Sequence, residues 1–100
     1  MSDEFTRYVI TFQPVKTRGR DEALIRAHVK FLRELDRKGL LVMAGPFADG
    51  EGGMIILKAD SQSAATRIAL ADPFVESGHR KFSVREWLLS CEENNHMGMG

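Results

Sequence analysis

Hydrophobic and polar positions along the chain change period several times, and each change predicts a new element. Tyr8–Phe12 is apolar, β-branched and aromatic, which predicts a buried strand that Pro14 ends because proline donates no ladder hydrogen bond. From Asp21 to about Lys38, apolar residues recur three, four and seven positions apart, which predicts an amphipathic helix. The stripe of this helix that faces the core consists of Leu24, Ala27, His28, Phe31, Leu32 and Leu35.

The second half of the chain predicts two more strands, a helix and a final strand. Leu40–Ala44 is a near-continuous apolar run that Gly45-Pro46 is expected to end, and Met54–Leu57 follows as its antiparallel partner after a glycine-rich hairpin loop. Ser61 is a candidate N-cap for a helix over Gln62–Ala71, which the Asp72-Pro73 pair breaks.

The last strand and the order of all elements predict the fold class. Lys81–Trp87 alternates, with Phe82 and Val84 on one face and Ser83, Arg85 and Trp87 on the other. The resulting order is β-α-β-β-α-β, an α+β ferredoxin-like unit with a four-stranded antiparallel sheet and two helices on one face. The other face needs cover, which we expect from a second copy of the chain, as in a dimeric α+β barrel.

Length and composition indicate one domain spanning residues 1–100, with an ordered core at about 7–89 and a polar tail at 90–100 that we expect to be mobile. Lys plus Arg equals Asp plus Glu at 14 each, which argues against nucleic-acid or anionic-membrane partners. The single Cys91 points to a reducing compartment, and the polar N-terminus is unlike a signal peptide. With no apolar run near the ~20 residues of a membrane helix, the expected location is the cytoplasm.

His28 and Asp72 are the candidate catalytic residues. An imidazole can take or give a proton near neutral pH, although a histidine on an apolar face is also commonly a hydrogen-bonded core residue. Asp72 before Pro73 is a standard N-cap, but its carboxylate could equally orient the imidazole or move a proton itself. Because both helices lie on the same face of the predicted sheet, the two side chains can approach each other.

Other residues are candidates for binding a small-molecule substrate between the first helix and the sheet. Arg18 and Arg20 lie in a basic loop that is either solvated surface or attracts an anionic group. Met43, Phe47 and Phe74 are expected to line the pocket. Three histidines on different elements, without an acidic ligand cluster, argue against a metal site, and no cofactor motif is present.

Three local patterns follow one another between Tyr8 and Leu88. They are AHVKFLRELDRKGLLVMAGPF at 27–47, LADPFVESG at 70–78 and FSVREW at 82–87. In order and spacing they resemble the YCII-related (YciI-like) family. Members of that family often carry an arginine three residues before the histidine. Here that position is Ile25, and the neighbouring Arg26 faces away from the stripe, so it receives no substrate role.

The resemblance implies a dimeric ferredoxin-like fold similar to that of muconolactone isomerases, with a site built on His28 and Asp72. Most members have no assigned reaction, and the known activity is dehydrochlorination of a chlorinated hydroxyhydroquinone in aromatic degradation. The first hypothesis is therefore a cofactor-free lyase or isomerase that transfers protons on a small oxygenated ring, chlorinated or not. The alternative is a non-catalytic small-molecule-binding or dimerisation module with a structural His28. A third hypothesis is a monooxygenase of the related dimeric barrel type, but nothing in the sequence requires oxygen chemistry.

Overall fold

A computed structural model describes residues 4–97. Outside that range lie residues 1–3 and residues 98–100, which are the end of the predicted tail. The elements are β1 Thr6–Pro14, α1 Glu22–Arg37, β2 Leu41–Pro46, β3 Gly53–Leu57, α2 Gln62–Leu70, α3 Pro73–Glu76, β4 Arg80–Leu88 and a 3₁₀-helical turn Glu92–Asn94. The β-α-β-β-α-β order is confirmed, with α3 as a short addition after Asp72. Asn94 holds the start of the tail by donating from its amide to the carbonyl of Leu89.

The four strands form one antiparallel sheet in the order β2-β3-β1-β4. Ile10 lies opposite both Ile55 and Val84, so these three side chains share the face that the helices cover. The core on this face consists of Tyr8, Ile10, Phe12, Leu35, Ile55, Leu57, Ala65 and Ala69. One layer of helices on one face of the sheet is the predicted ferredoxin-like α+β arrangement.

Both long helices begin where the sequence predicts. Asp21 caps α1 through its Oδ1, which accepts from the Leu24 N–H at 3.1 Å, and the Ser61 hydroxyl caps α2 by accepting from the Ala64 N–H at 3.1 Å. The small residues Ala65 and Ala69 are fully buried, which brings α2 close to the sheet. The caps fix where each helix starts and therefore which residues face the sheet.

Strand β2 ends later than the sequence predicts. Gly45 and Pro46 were expected to end the pairing, but they lie opposite Met54 and Gly53 and continue the ladder. The reason is the missing side chain at Gly53, where a Cβ would lie 2.7 Å from the Gly45 carbonyl oxygen. A β-bulge at Val42, between Leu41 and Met43, shifts the phase of the strand.

The second face of the sheet carries apolar side chains that no helix covers. Alternation places Met43, Trp87 and Ile56 on it, because their neighbours in each strand face the helices. Met43 is 60% exposed and Trp87 42% exposed in the single chain. This open face of the sheet is the surface that the sequence assigned to a second subunit.

Candidate functional site

His28 lies two turns into α1 on the side that faces the sheet. The stripe that the sequence predicts is confirmed, since Leu35 is buried and Leu24, Ala27, His28, Phe31 and Leu32 are partly buried. Arg26, Lys30 and Arg33 on the opposite side are exposed. The imidazole therefore points inward because of its phase in the helix, and its side chain retains 16% exposure.

Asp72 lies where α2 ends and α3 begins. Its backbone is extended, with φ −63° and ψ 128°, and Pro73 occupies the first position of α3. Its Oδ1 accepts the Phe74 N–H at 2.9 Å, so the carboxylate caps this short helix. The side chain is fully buried at 0% exposure, which an isolated carboxylate would not tolerate.

The second partner of this carboxylate is His28. Its Nδ1 lies 3.1 Å from Oδ1 and 3.0 Å from Oδ2 of Asp72. An ionised carboxylate accepts but does not donate, so toward it Nδ1 is the donor and Oδ1 the acceptor. Oδ2 is buried and has no hydrogen-bond partner among the described residues, although it lies 3.0 Å from Nδ1. The neutral imidazole then carries its lone pair on Nε2.

Three aromatic rings surround the imidazole. The ring centroid of Phe74 lies 4.9 Å from that of His28, and those of Phe31 and Phe12 lie at 6.4 and 6.5 Å. Phe12 meets the imidazole edge to face at 86°. These apolar contacts, with the Asp72 carboxylate on Nδ1, hold the imidazole in one orientation.

A cleft of about 390 Å³ opens beside His28, between α1 and the β2–β3 side of the sheet. Its lining is largely apolar and consists of Phe12, Arg20, Ile25, His28, Val29, Leu32, Ala44, Gly45, Pro46, Gly53, Met54, Ile55, Phe74 and Arg80. Nε2 makes no hydrogen bond to any residue between 4 and 97 and is not a buried orphan atom, so it is accessible from this cleft. The geometry thus supplies a proton acceptor at the wall of a ring-sized cleft.

Arg80, which the sequence analysis missed, brings a positive charge into the same cleft. Its guanidinium carbon lies 4.0 Å from the centroid of Phe74 and 6.0 Å from that of Phe12. Burial lowers the pKa of the Arg80 guanidinium, and attraction to Asp72 opposes this effect, so the group remains a cation. The available signal was the alternation of β4, which places residues 80, 82 and 84 on one face.

The predicted arginines of the basic loop lie at different distances from the site. Arg20 lines the cleft, but its Nε donates to Glu22 at 2.7 Å and its side chain is 74% exposed. Arg18 is exposed and is not among the cleft residues. Its guanidinium lies near Gly78 instead. Phe74 lines the cleft as expected.

Met43 and Phe47 do not line this cleft, and their predicted place is corrected. They belong to a separate depression of about 210 Å³ that also includes Ile56 on the open face of the sheet. Ala44 lies opposite Ile55 and faces α1, so Met43, one residue earlier, points to the other side. Their expected contact with a substrate beside His28 is not supported by this placement.

A larger concavity of about 620 Å³ lies at the opposite end of the sheet, beside Arg7 and Lys58 and away from His28. Within residues 4–97, no three His, Cys, Asp or Glu side chains cluster so that they could hold a metal ion. Over the same residues, none of the helices has the length and apolar character needed to cross a membrane.

Comparison with known proteins gives a consistent picture. The uncharacterised protein YjpA of Bacillus subtilis (strain 168) is 34% identical over 82 residues, which cover 82% of this chain and 96% of YjpA. A solved structure of 5-chloro-2-hydroxyhydroquinone dehydrochlorinase (TftG) from Burkholderia phenoliruptrix AC1100, in complex with 2,5-dihydroxybenzoquinone, shares the fold. The two structures superpose with a TM-score of 0.60 at 22% sequence identity, and the match covers 81% of this chain and 92% of the TftG chain. The model of the YCII-related domain matches residues 6–88, and the chain therefore belongs to the YCII-related family.

Proposed function

We propose that this protein is a cofactor-free enzyme that transfers protons on a small oxygenated ring, as a lyase of the dehydrochlorinase kind or an isomerase. One observation carries the proposal: Nδ1 of His28 lies within hydrogen-bond distance of the fully buried Asp72 carboxylate, and His28 lines a cleft. His28 is the general base in this account. Asp72 orients the imidazole and stabilises the imidazolium that forms when Nε2 takes a proton.

The elimination balances without an outside electron donor or acceptor. In the keto tautomer of the ring, whose chlorine-bearing carbon is sp³, Nε2 of His28 takes an enol hydroxyl proton. The O–H bonding pair first leaves negative charge on the oxygen and then forms the C=O π bond, as the enol C=C shifts toward the chlorine-bearing carbon. Chloride leaves from that carbon with the carbon–chlorine bonding pair, so the net change is loss of HCl. In an isomerisation the imidazolium returns its proton to a different atom of the same substrate. Both reactions need only the His28–Asp72 pair.

The cleft supports a ring as the substrate. Its volume of about 390 Å³ lies within the range of small-molecule sites, and its walls are mainly apolar and aromatic. TftG binds 2,5-dihydroxybenzoquinone, and the shared fold makes quinone-type rings and their chlorinated precursors the first compounds to test.

The second candidate function is a non-catalytic small-molecule-binding or dimerisation module. The observation in its favour is that the bond from the Phe74 N–H to Asp72 already gives this carboxylate a structural role as a helix cap. In that case the only role of His28 is to supply a second hydrogen-bond donor to the buried carboxylate. The two candidates differ in whether the ring of a bound substrate changes.

The deciding experiment is a screen of chlorinated hydroxyhydroquinones, hydroquinones and lactones for chloride release or isomerisation. We expect turnover by the wild-type protein and its loss in His28→Gln, which lacks the base. His79→Gln is a matched control, because its Nδ1 bonds the Ser77 hydroxyl at 2.8 Å and it does not line the cleft. Turnover that survives in His28→Gln would contradict the proposed base.

We also propose that the protein works as a homodimer in the cytoplasm. The apolar open face of the sheet, with Met43 and Trp87, is the surface available for a second copy. The unpaired Cys91 suits a reducing compartment.

A further inference from the structure

The cleft contains a cation that the proposed proton transfer does not use. Arg80 is the first residue of β4 and lies opposite Pro14, with its side chain on the same face of the sheet as Phe12. Its guanidinium packs over the ring of Phe74, which also contacts His28. The positive group and the base therefore contact the same phenyl ring and line the same cleft.

The hydrogen-bond donors of this guanidinium are not consumed within the protein. No side-chain hydrogen bond or ion pair joins Arg80 to any residue in the 4–97 range, although Asp72 attracts it at longer distance. The oxygens of Asp72 instead face His28 and the Phe74 N–H. A partly buried cation with free donors favours an anionic oxygen of a ligand.

The other arginines near the cleft are poorer candidates for this role. Arg20 is paired with Glu22 and is mostly in solvent, and Arg18 does not line the cleft. A cation exposed to water adds little to the affinity for an anionic ligand. A partly buried cation over an aromatic ring separates anionic from neutral ligands more strongly.

We infer that Arg80 is the anion-binding group of the cleft, and that the cleft takes a planar ring with an ionised oxygen of the phenolate, enolate or hydroxyquinone type. The choice of a ring rests on the proposed function. When Nε2 of His28 takes a hydroxyl proton, the bonding pair of that O–H stays on oxygen, and the new negative charge faces the guanidinium. Arg80 then binds the ground state of ionised rings and stabilises the anion formed from neutral ones.

The test is calorimetric titration with two probes of similar shape. The hydroxyls of 2,5-dihydroxybenzoquinone are vinylogous acids and ionise at neutral pH, whereas 2,5-dimethoxybenzoquinone stays neutral. We expect Arg80→Gln to weaken binding of the dihydroxy compound at least tenfold and to leave binding of the dimethoxy compound unchanged. Arg80→Lys, which keeps the charge but loses the planar fork, gives an intermediate loss. Arg26→Gln, the control at an exposed arginine on the opposite side of α1, changes either affinity less than twofold.

Several results would overturn the inference. They are an Arg80→Gln variant that binds the dihydroxy compound like the wild type, an equal loss for both probes, an equal loss in Arg26→Gln, and no binding to the wild type at millimolar concentration. If Arg80→Gln does not fold by circular dichroism, Arg80→Lys decides, and an unchanged affinity there counts against the inference. Because binding is measured without turnover, charge-selective binding with neither chloride release nor isomerisation would leave Arg80 assigned and refute the proposed enzyme.

Discussion

Replacing Asp72 by Asn and by Ala separates its role as a helix cap from its role toward His28. Asparagine keeps an oxygen that accepts the Phe74 N–H, and Asn and Asp are equally good N-caps. Its NH₂ group takes the place of Oδ2, 3.0 Å from Nδ1, where it repels a proton on Nδ1 and favours an imidazole that accepts there and carries its proton on Nε2. The variant keeps the fold but loses the lone pair that faces the cleft.

The structure gives the size of both effects. In Asp72→Asn, a charge-assisted bond becomes a neutral one, but the cost of burying a charge disappears as well, so we expect stability to change by less than about 1 kcal/mol. In Asp72→Ala, the lost cap costs about 1–2 kcal/mol and an unpaired Nδ1 of His28 about 1–2 more, which makes about 2–4 kcal/mol in total. Since about 1 kcal/mol shifts Tm by roughly 4–8 °C in a domain of this size, Asp72→Ala should unfold at least roughly 4–8 °C below Asp72→Asn.

The assays are urea unfolding followed by circular dichroism, and chloride release on the substrate found by the screen. Asp72→Asn is expected to lose about 10²–10⁴-fold in turnover, the range that a positioned general base contributes. Asp36→Asn is the charge-matched control, because Asp36 is exposed on α1. Turnover of Asp72→Asn within about threefold of the wild type, or a destabilisation equal to that of Asp72→Ala, would refute the reasoning.

Two further predictions concern the turn at Gly52 and the open face of the sheet. Gly52→Ala should destabilise the fold by about 3 kcal/mol or more in urea unfolding, because φ is +89° and the added Cβ would lie 2.0 Å from the Phe12 carbonyl oxygen. Gly50→Ala, at φ +77° with open space around it, should cost only about 1–2 kcal/mol, and equal losses would contradict the steric argument. In light scattering the wild type should have twice the mass of one chain, and Trp87→Asp on the open face of the sheet should be monomeric. Leu70→Asp, at an exposed apolar residue of α2, should leave the mass unchanged, and a wild-type monomer would refute the dimer.

Much of the fold follows from periodicity alone. The helical phase from Leu24 to Leu35 places His28 inward before any tertiary contact is known, and the alternation of Phe82 and Val84 fixes the faces of β4. The end of β2 did not follow, because Gly45 and Pro46 pair only where Gly53 leaves room for them. That close approach depends on the partner strand, which a local pattern does not contain.

The sequence indicated that His28 and Asp72 could meet, but it indicated less of the cleft walls around them. His28 and Asp72 are 44 residues apart, and only the topology brings them together. Met43 was misplaced because an all-apolar run has no phase, and the bulge at Val42 sets that phase. Arg80 was missed because the strand was predicted to start one residue later, whereas pairing with Pro14 extends it by one step.

The position of the imidazole proton tests the central claim most directly. In the ¹⁵N-labelled protein, at a pH above the range in which imidazoles titrate, nitrogen–proton correlation NMR distinguishes the two tautomers, and loss of the signals in His28→Gln assigns them among the three histidines. The account predicts a protonated Nδ1 and a bare Nε2 in the wild type, with the reverse in Asp72→Asn. A wild-type His28 with its proton on Nε2 would contradict it.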